Sequence, residues 1–463
     1  MSSFRLRIAA ATVALATVLG GCSVLPATST AGSAVSAAAG SVFDTSQVHT
    51  VSLEVDQAAL TTMLKTFVDT GDKEWIKATV TIDGTTFDEV GIKLKGNSSL
   101  KGVTTDSAAQ DLPWRIRLDK YVDGQDLDGY SDFTIRANSS QTSLNEAVAL
   151  DLLRDAGLAS EQAVATRFSV NGSAAVLRLT VQNLDDTWVE QNFPDAGADS
   201  VLYKADSDGD WSWRGEDGDY TSSFEVEAGD EDYAPLIALL DLINNGTAEE
   251  IAEKLPTMLD IDAFADYLAF EDLVDNFDDI DGPGNNSYLF WDSATKRFTV
   301  VAWDHNLAFG SRPGGGGQQG QPGQQRQPGQ QGQSAQPSQA GQPSQAGQPS
   351  QAGQPSQAGQ PSQAGQQRDS AAPGQQPSGA PNGGGGGRGR TKDNPLVTAF
   401  KANEEWAAQY EKAKTELQDK LVDSGELADA VEERSTVLTE GATDLVGADT
   451  IATEADKISA YAE

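Results

Sequence analysis

The stretch that decides the fold reads Val300-Val301-Ala302-Trp303-Asp304-His305-Asn306-Leu307-Ala308-Phe309-Gly310. An apolar strand ends here in a carboxylate, Asp304, which is costly beside a buried strand unless a charge partner or a metal compensates it. Just upstream, residues 287–291 and 298–302 are typical of the two strands of a hairpin. The stretch therefore predicts an α+β fold with a functional carboxylate at the end of a strand.

An acidic loop precedes this hairpin. A helix predicted over 261–274 is followed by the aspartate-rich segment 275–281, and then by Asn285 and Asn286. In kinase-like sites one carboxylate orients the acceptor hydroxyl, while an amide and a second carboxylate hold the metal on the phosphates. Asp and Asn oxygens are hard ligands of the kind that Mg²⁺ prefers. The pattern predicts phosphoryl transfer, and the alternative is a solvated acidic loop beside an ordinary buried strand.

Further from this stretch, the sequence alternates between short strands and amphipathic helices. Hairpin turns are predicted at Asp83-Gly84 and at Asn171-Gly172, because both dipeptides favour tight turns between strands. Gly157 predicts the end of a helix. Strands are predicted over 48–55, 77–82, 90–94, 114–118, 167–170 and 174–181, and helices over 57–68, 144–154 and 233–243.

The charge and the cysteine count exclude several classes of protein. Of the 463 residues, 69 are Asp or Glu and 32 are Lys or Arg, which gives a formal net charge of −37. Such a charge repels phosphate backbones, so we expect no nucleic-acid partner. With one Cys and two His, the chain has neither an internal disulfide nor a thiolate zinc cluster.

The N-terminus has the pattern of an export signal. Arg5 and Arg7 precede an apolar stretch over 8–19, and residues 1–21 are therefore predicted to be a signal peptide. It ends in Leu-Gly-Gly before Cys22, which resembles a bacterial lipobox with a lipidated cysteine. We expect a lipid-anchored protein at the extracytoplasmic face of the bacterial cell membrane, with residues 22–43 as a flexible tether. The alternative is an ordinary signal peptide with an incidental Cys.

Residues 311–392 differ in composition from the rest of the chain. They are rich in Gly, Gln, Pro and Ser and contain QPSQAG five times in succession over 336–365. A segment whose apolar residues are only Ala and Pro cannot bury a core, so we expect disorder here. The pattern over 395–421 then predicts a helix.

Six motifs in order resemble the CotH-type spore-coat kinases over roughly residues 48–310. They are Lys95-Gly96-Asn97-Ser98-Ser99, Trp114-Arg115-Ile116-Arg117-Leu118, Gly157-Leu158, Asn171-Gly172, Leu202-Tyr203-Lys204, and the pair formed by 285–289 with 303–310. The resemblance implies an atypical protein-kinase-like, two-lobed fold that uses ATP and Mg²⁺ or Mn²⁺ to phosphorylate a partner protein.

The resemblance also implies roles for individual residues. Asp304 and Asn286 match the metal ligands. The acceptor-orienting carboxylate falls within 275–281, where Asp275 is favoured and Asp279 and Asp281 are rivals. The basic residues best placed to meet phosphates are Lys95, Arg115 and Lys204.

By the same resemblance, residues 393–463 complete the domain of 44–310, and 311–392 is an insertion within it. Three positions depart from the family pattern: Asn306 replaces an acidic residue, Asn145 a basic one and Gln182 a Glu. Each change lowers the charge expected at a metal or phosphate site. They favour the alternative function, a catalytically inactive CotH-like binding or structural lipoprotein of the cell envelope.

Overall fold

The computed structural model describes residues 40–207, 209–283, 285–312 and 394–462, which belong to one compact unit. The predicted signal peptide, Cys22, the tether as far as residue 39 and the insertion from residue 313 lie outside the described residues. The strands are β1 (His49–Val55), β2 (Ile76–Ile82), β3 (Thr85–Leu94), β4 (Trp114–Arg117), β5 (Asp132–Ile135), β6 (Ala163–Val170), β7 (Val176–Gln182), β8 (Val201–Ala205), β9 (Phe224–Ala228), β10 (Ser287–Asp292) and β11 (Arg297–Ala302). The helices are α1 (Gln57–Thr70), α2 (Leu144–Ala156), α3 (Asp186–Asn192), α4 (Ala234–Asn245), α5 (Ala248–Lys254), α6 (Ile261–Leu273), α7 (Pro395–Ala402), α8 (Glu404–Leu417), α9 (Glu426–Gly441) and α10 (Ala448–Ser459).

The first seven strands form a closed barrel in the order β1-β2-β3-β4-β5-β7-β6. Neighbouring strands are antiparallel except where β1 closes the barrel by pairing in parallel with β6. Alternation along each strand points Leu53, Ile92 and Phe168 into a fully buried apolar core. Successive side chains of a strand point to opposite faces. The outward positions of β1 and β2 are polar, whereas Leu177, Leu179 and Val181 of β7 point outward into the core formed with the helices.

The folded region begins earlier than the boundary at residue 44 predicted from the sequence. Val42 and Phe43 are buried in the barrel core. The ring of Phe43 lies 4.9 Å from that of Tyr130 in an edge-to-face contact. Two apolar residues at the end of an Ala- and Ser-rich segment were too weak a signal to distinguish from the tether.

The last four strands form a separate antiparallel sheet in the order β11-β10-β8-β9. Leu289 and Val300 point to one face and join the large core formed with the helices. Tyr288 and Trp303 point to the other face and belong to a smaller aromatic cluster with Trp188. The sheet is therefore buried on both faces, which explains why β10 and β11 are apolar almost throughout.

Residues 394–462 pack as helices against the rest of the unit. The single helix predicted over 395–421 is wrong, because α7 ends at Ala402 and the side chain of Asn403 caps α8 by accepting from the backbone amides of Glu405 and Trp406. Phe400 on α7 contacts the ring of Phe264 on α6 at 5.1 Å. An Asn that accepts two amide hydrogen bonds starts a new helix more readily than it continues an old one.

The mixed α and β content confirms the predicted α+β class. The described residues form a seven-stranded barrel and a helix-covered four-stranded sheet, and the two-lobed kinase arrangement stays a prediction. Among the described helices, none is long and apolar enough to cross a bilayer.

Candidate functional site

One face of the four-stranded sheet carries Lys204, Tyr288 and Trp303. Lys204 on β8 is directly opposite Tyr288 on β10, and the ring of Tyr288 lies 5.4 Å from that of Trp303. The hydroxyl of Tyr288 is buried and has no hydrogen-bond partner among the described residues. This face therefore presents a cation, a phenol and an indole to the barrel.

The barrel contributes Lys95 and Arg115. Lys95 follows β3, and its Nζ donates to the side-chain oxygen of Asn183 at 2.8 Å. Arg115 lies on β4 and holds Asp132 through Nε and Nη2 at 3.0 and 2.7 Å. Paired hydrogen bonds of this kind fix the plane of a guanidinium group.

A buried carboxylate, Glu227, joins the two parts. Its oxygens lie 3.4 Å from Nη1 of Arg115 and 3.8 Å from Nζ of Lys204. Although burial works against the charged form, Lys95 and Arg115 hold the pKa of Glu227 below its usual value. The structure thus brings together Lys95, Arg115 and Lys204, the three residues predicted to meet phosphates.

The cations of this group are crowded. Burial and the neighbouring charges of Lys204 and Arg115 hold the pKa of Lys95 well below its ordinary value. Three cations face two close carboxylates, Asp132 and Glu227, in a chain where acids outnumber bases by more than two to one. An anion that entered the group would relieve this repulsion.

Trp303 connects this basic group to Asp304. Nζ of Lys95 lies 5.2 Å from the indole ring centre, and the guanidinium carbon of Arg136 lies 4.8 Å from it. Asp304 is the next residue and has a left-handed backbone with φ 65°, a conformation that Asp tolerates better than most residues. Its Oδ1 lies 3.2 Å from Nη1 of Arg136.

Arg136 and its partners were missed in the sequence. Nη2 of Arg136 lies 2.5 Å from Glu146 on α2, and its charge also acts on Glu161. Despite burial, Asp304 and Glu146 raise the pKa of Arg136. Arg136 directly follows the buried strand β5, so the signal that identified Asp304, a charge straight after an apolar strand, was present here too.

The turn after Asp304 is held from inside the protein. The fully buried His305 faces Glu271 on α6, with Nε2 and Oε1 3.2 Å apart. Burial lowers the pKa of His305, but Glu271 outweighs it and the net shift is upward. Glu271 also accepts from the side chain of Asn276 at 2.8 Å, so one carboxylate fixes both the turn and the start of the acidic loop.

The three aspartates proposed for acceptor orientation have different surroundings. Asp275 accepts from the Tyr461 hydroxyl at 3.2 Å and lies 3.6 Å from Arg312. Burial and the charge of Glu271 raise the pKa of Asp279 to about 7. Asp281 accepts from the backbone amide of Asn394 at 2.9 Å, the first described residue after the insertion.

Asn285 and Asn286 differ as well. The side chain of Asn285 is buried, accepts from Trp211 Nε1 at 2.9 Å and donates to the Asp206 carbonyl at 3.0 Å. Asn286 is half-buried and ends the acidic loop directly before Ser287, which pairs with Ala302. The first Asn therefore holds a neighbouring loop, and the second lies at the same end of the hairpin as Asp304.

The described residues contain no group of three or more His, Cys, Asp or Glu side chains arranged to hold a metal. Asp304 and Asn286 lie at the same end of the hairpin, because Ser287, which follows Asn286, pairs with Ala302, two residues before Asp304. Mg²⁺ is often held by one or two protein oxygens together with substrate phosphates. The buried Oδ1 of Asp304 makes no hydrogen bond of good geometry, but Nη1 of Arg136 lies 3.2 Å from it, so a metal would share this oxygen with an ion pair.

The comparison with known families agrees with the motifs. A family model described as CotH kinase protein matches residues 92–342, more than half of the chain. The chain belongs to the CotH kinase family. No curated protein matches it. In this CotH kinase family member, all the residues predicted for the metal, the phosphates and the acceptor lie within the matched region.

Glu161 provides a test of the buried acidic group in this CotH kinase family member. It is 3% exposed, and no other described residue donates to its carboxylate oxygens. Burial raises the pKa of Glu161 from 4.5 to about 7. The folded protein therefore binds this proton more tightly than the unfolded chain, and the stability that the proton provides is complete below pH 4.5 and is lost as the pH rises through about 7. We expect Glu161→Gln to raise the free energy of unfolding at pH ~8 by about 1–3 kcal/mol, and by much less at pH ~5.

Urea unfolding of the full chain at both pH values measures this effect. Glu411→Gln, at an exposed position of α8, is the control and should change little at either pH. Equal stability of Glu161→Gln and the wild type at the higher pH would show that the carboxylate is compensated in the folded protein.

Proposed function

We propose that the chain transfers the γ-phosphoryl group of ATP to a Ser or Thr of a partner protein, with Mg²⁺ or Mn²⁺. The observation that carries the proposal is the position of Trp303. Lys95 and Arg136 both lie over its ring, and Asp304 follows it in the chain. One of the cations for phosphates, Lys95, and a carboxylate for a metal thereby lie on either side of one residue, and phosphoryl transfer requires both kinds of group around the phosphates.

Each part of this group would have a separate task. Lys95, Arg115 and Lys204 would bind the phosphate oxygens, and Asp304 with Asn286 would hold the metal. The metal would neutralise charge that develops on the transferred group. Because Lys95 and Arg115 are held by Asn183 and Asp132, their positions are set before a nucleotide binds, which lowers the cost of ordering them.

For the acceptor, the sequence interpretation favoured Asp275, but chain spacing and side-chain contacts support Asp281. Asp281 precedes Asn286 by five positions, which is the Asp-to-Asn spacing of the kinase catalytic loop. Asp275 is paired with Tyr461 and Arg312, and Asp279 holds its proton up to about pH 7. We therefore propose that Asp281 orients the acceptor hydroxyl and receives its proton, while Asp275 fixes the loop.

Export and anchoring through Cys22 belong to the same proposal. The leader and Cys22 lie outside the described residues, and their support is the sequence pattern alone. Loss of the protein from the membrane fraction in a Cys22→Ser variant would support lipidation. An unchanged distribution would contradict it.

Nucleotide binding tests the site without knowledge of the acceptor. ATP with Mg²⁺ is expected to raise the unfolding temperature of the full chain, since a ligand at 100 times its Kd adds about 2.7 kcal/mol to folding. Lys204→Met should lose most of this increase because it removes a phosphate contact. Lys457→Met, at an exposed position of α10, should retain it.

Transfer of labelled γ-phosphate to a Ser- and Thr-rich test peptide then separates catalysis from binding. Incorporation that needs a divalent metal supports the kinase. A full thermal shift with ATP but no incorporation of label at any metal concentration would contradict the kinase. Absence of both the thermal shift and the incorporation would also contradict the proposed nucleotide site.

A second function, a CotH-like binding or structural lipoprotein, is favoured by one observation. Arg136 lies within 3.2 Å of Asp304 and partly neutralises the carboxylate that a metal needs. If this ion pair persists, Asp304 does not bind a metal, and the protein keeps the fold without transferring phosphate. The thermal shift decides between the two functions, because the binding protein has no reason to respond to ATP.

A further inference from the structure

The outer face of the barrel carries lysines supported by aromatic rings. Nζ of Lys93 and of Lys120 lie 4.7 and 5.1 Å from the ring centre of Trp75. Nearby, Nζ of Lys77 lies 4.9 Å from the ring centre of Tyr121. We call these five residues the lysine–tryptophan face. Amines over aromatic rings are attracted to them while remaining available to other partners.

Gly91 on β3 makes this packing possible. A Cβ atom at this position would lie 2.5 Å from Cγ of Lys120 and 3.2 Å from Cε3 of Trp75. Any side chain would therefore push Lys120 and Trp75 off the strand. The absence of a side chain lets both residues lie flat on the sheet beside Lys93.

Two of the lysines have no acidic side chain within ion-pair distance among the described residues, although Glu225, Glu227 and Asp132 act on Lys93 from farther away. Lys77 pairs with Glu89 at 2.9 Å, but Lys93 and Lys120 form no ion pair within the described part of the chain. Burial and the charge of Arg115 lower the pKa of Lys93. Lys93 is half-buried and Lys120 is exposed. In a chain with a net charge of −37, two amines held over one indole ring without an ion-pair partner indicate a surface kept for an anionic ligand.

The face leads directly to the candidate phosphate site. Lys93 is opposite Arg115 in the pairing of β3 with β4, and Arg115 contacts Glu227. A ligand that lies along Trp75 and Lys93 therefore reaches the group that contains Arg115. β3 is paired on both sides, so recognition here depends on side chains and not on the addition of a strand.

We propose that the lysine–tryptophan face docks an acidic segment of the acceptor protein. That the bound protein is the phosphate acceptor rests on the proposed function, whereas the docking itself does not. Charge complementarity supports an acidic peptide. An anionic lipid surface is less well matched, because the rest of the chain is strongly acidic and would be repelled by it.

The experiment measures binding of a short fluorescein-labelled peptide of Asp, Glu, Gly and one Ser to the full chain by anisotropy, without ATP. The double variant Lys93→Glu/Lys120→Glu is expected to bind roughly tenfold more weakly than the wild type, and wild-type binding is expected to weaken at high salt. Lys65→Glu/Lys457→Glu carries the same change of charge on α1 and α10 and should bind like the wild type. Lys120→Glu alone, at an exposed position, replaces the double variant if that variant does not fold.

Three results would overturn the proposal. The first is equal binding of the acidic peptide by the wild type and the Lys93/Lys120 variants. The second is equal binding of the acidic peptide and of a peptide in which Gln replaces Asp and Glu. The third is binding to phosphatidylserine vesicles but not to the peptide, in a manner that depends on Lys93 and Lys120. Acidic-peptide binding in a chain that transfers no phosphate would leave docking intact and contradict the proposed kinase. Phosphate transfer without binding of the acidic peptide would support the kinase and contradict the docking proposal.

Discussion

Replacement of Asp304 by Asn is expected to lower the rate of phosphate transfer by roughly 10²–10³-fold, the scale of losing one preorganised electrostatic contact in a transition state. The amide keeps the shape of the side chain but cannot neutralise a metal. Arg136 retains Glu146 as a partner at 2.5 Å, so the fold should survive. Initial rates over a range of Mg²⁺ and Mn²⁺ concentrations measure the effect.

The same assay includes variants that test the specificity of this result. Asp281→Asn should cause a comparable loss if it receives the acceptor proton, and Asp275→Asn in the same loop should cause a smaller one. Asp69→Asn, on the exposed surface of α1, should behave like the wild type. An unchanged rate in Asp304→Asn would remove this residue from the site, and a larger loss in Asp275→Asn than in Asp281→Asn would reverse their roles.

Removal of the Arg434 side chain is expected to lower the free energy of unfolding by about 3 kcal/mol, the lower end of the range for breaking a buried pair, because Asp151 loses its main partner and keeps only Arg154 at 2.9 Å. Arg434 on α9 holds Asp151 on α2 at 2.6 and 2.7 Å and donates to the Ala163 carbonyl at 2.9 Å. Burial works against the charged form of Asp151, but Arg434 lowers its pKa overall. The stability from this pair is therefore present at neutral pH and lost as the pH falls through the lowered pKa.

A matched control for Arg434→Ala is Arg167→Ala. Arg167 also links the barrel to the C-terminal helices, through Asp444 at 2.5 and 2.8 Å, but this pair is exposed to solvent. Water and salt screen such a pair, so its loss should matter much less. Urea unfolding of the full chain measures both variants. Similar losses in the two would mean that burial of the Arg434 pair contributes nothing.

Several local elements could be predicted because their signals are local. Asn171-Gly172 and Asp83-Gly84 lie at the turns of two hairpins as expected. The helix before Gly157 ends there, and Gly157 has a left-handed backbone with φ 91°. The strands on both sides of residues 293–296 also agree with the structure. In each case a few neighbouring residues decide the conformation.

Closure of the barrel could not be predicted. β1 pairs in parallel with β6, more than a hundred residues later in the chain. The sequence of neither strand identifies the strand with which it pairs. The same holds for Val42 and Phe43, whose burial depends on Tyr130 and Phe133. Contacts between distant segments depend on how all the strands pack together, which no single stretch encodes.

The order of residues alone identified the family motifs, the carboxylate that follows the predicted strand over 298–302 and, through the motifs, the basic residues Lys95, Arg115 and Lys204. It could do so because a charge placed directly after an apolar strand is visible in the order of residues, as at Asp304, and because the three basic residues lie in motifs that resemble the family. Only the tertiary structure decided that Glu227 gathers those cations, that Arg136 faces Asp304, and that Lys93 and Lys120 share Trp75. The physical reason is that these are interactions through space, with energies that depend on distance and burial, and both quantities are fixed only when the barrel and the sheet have folded.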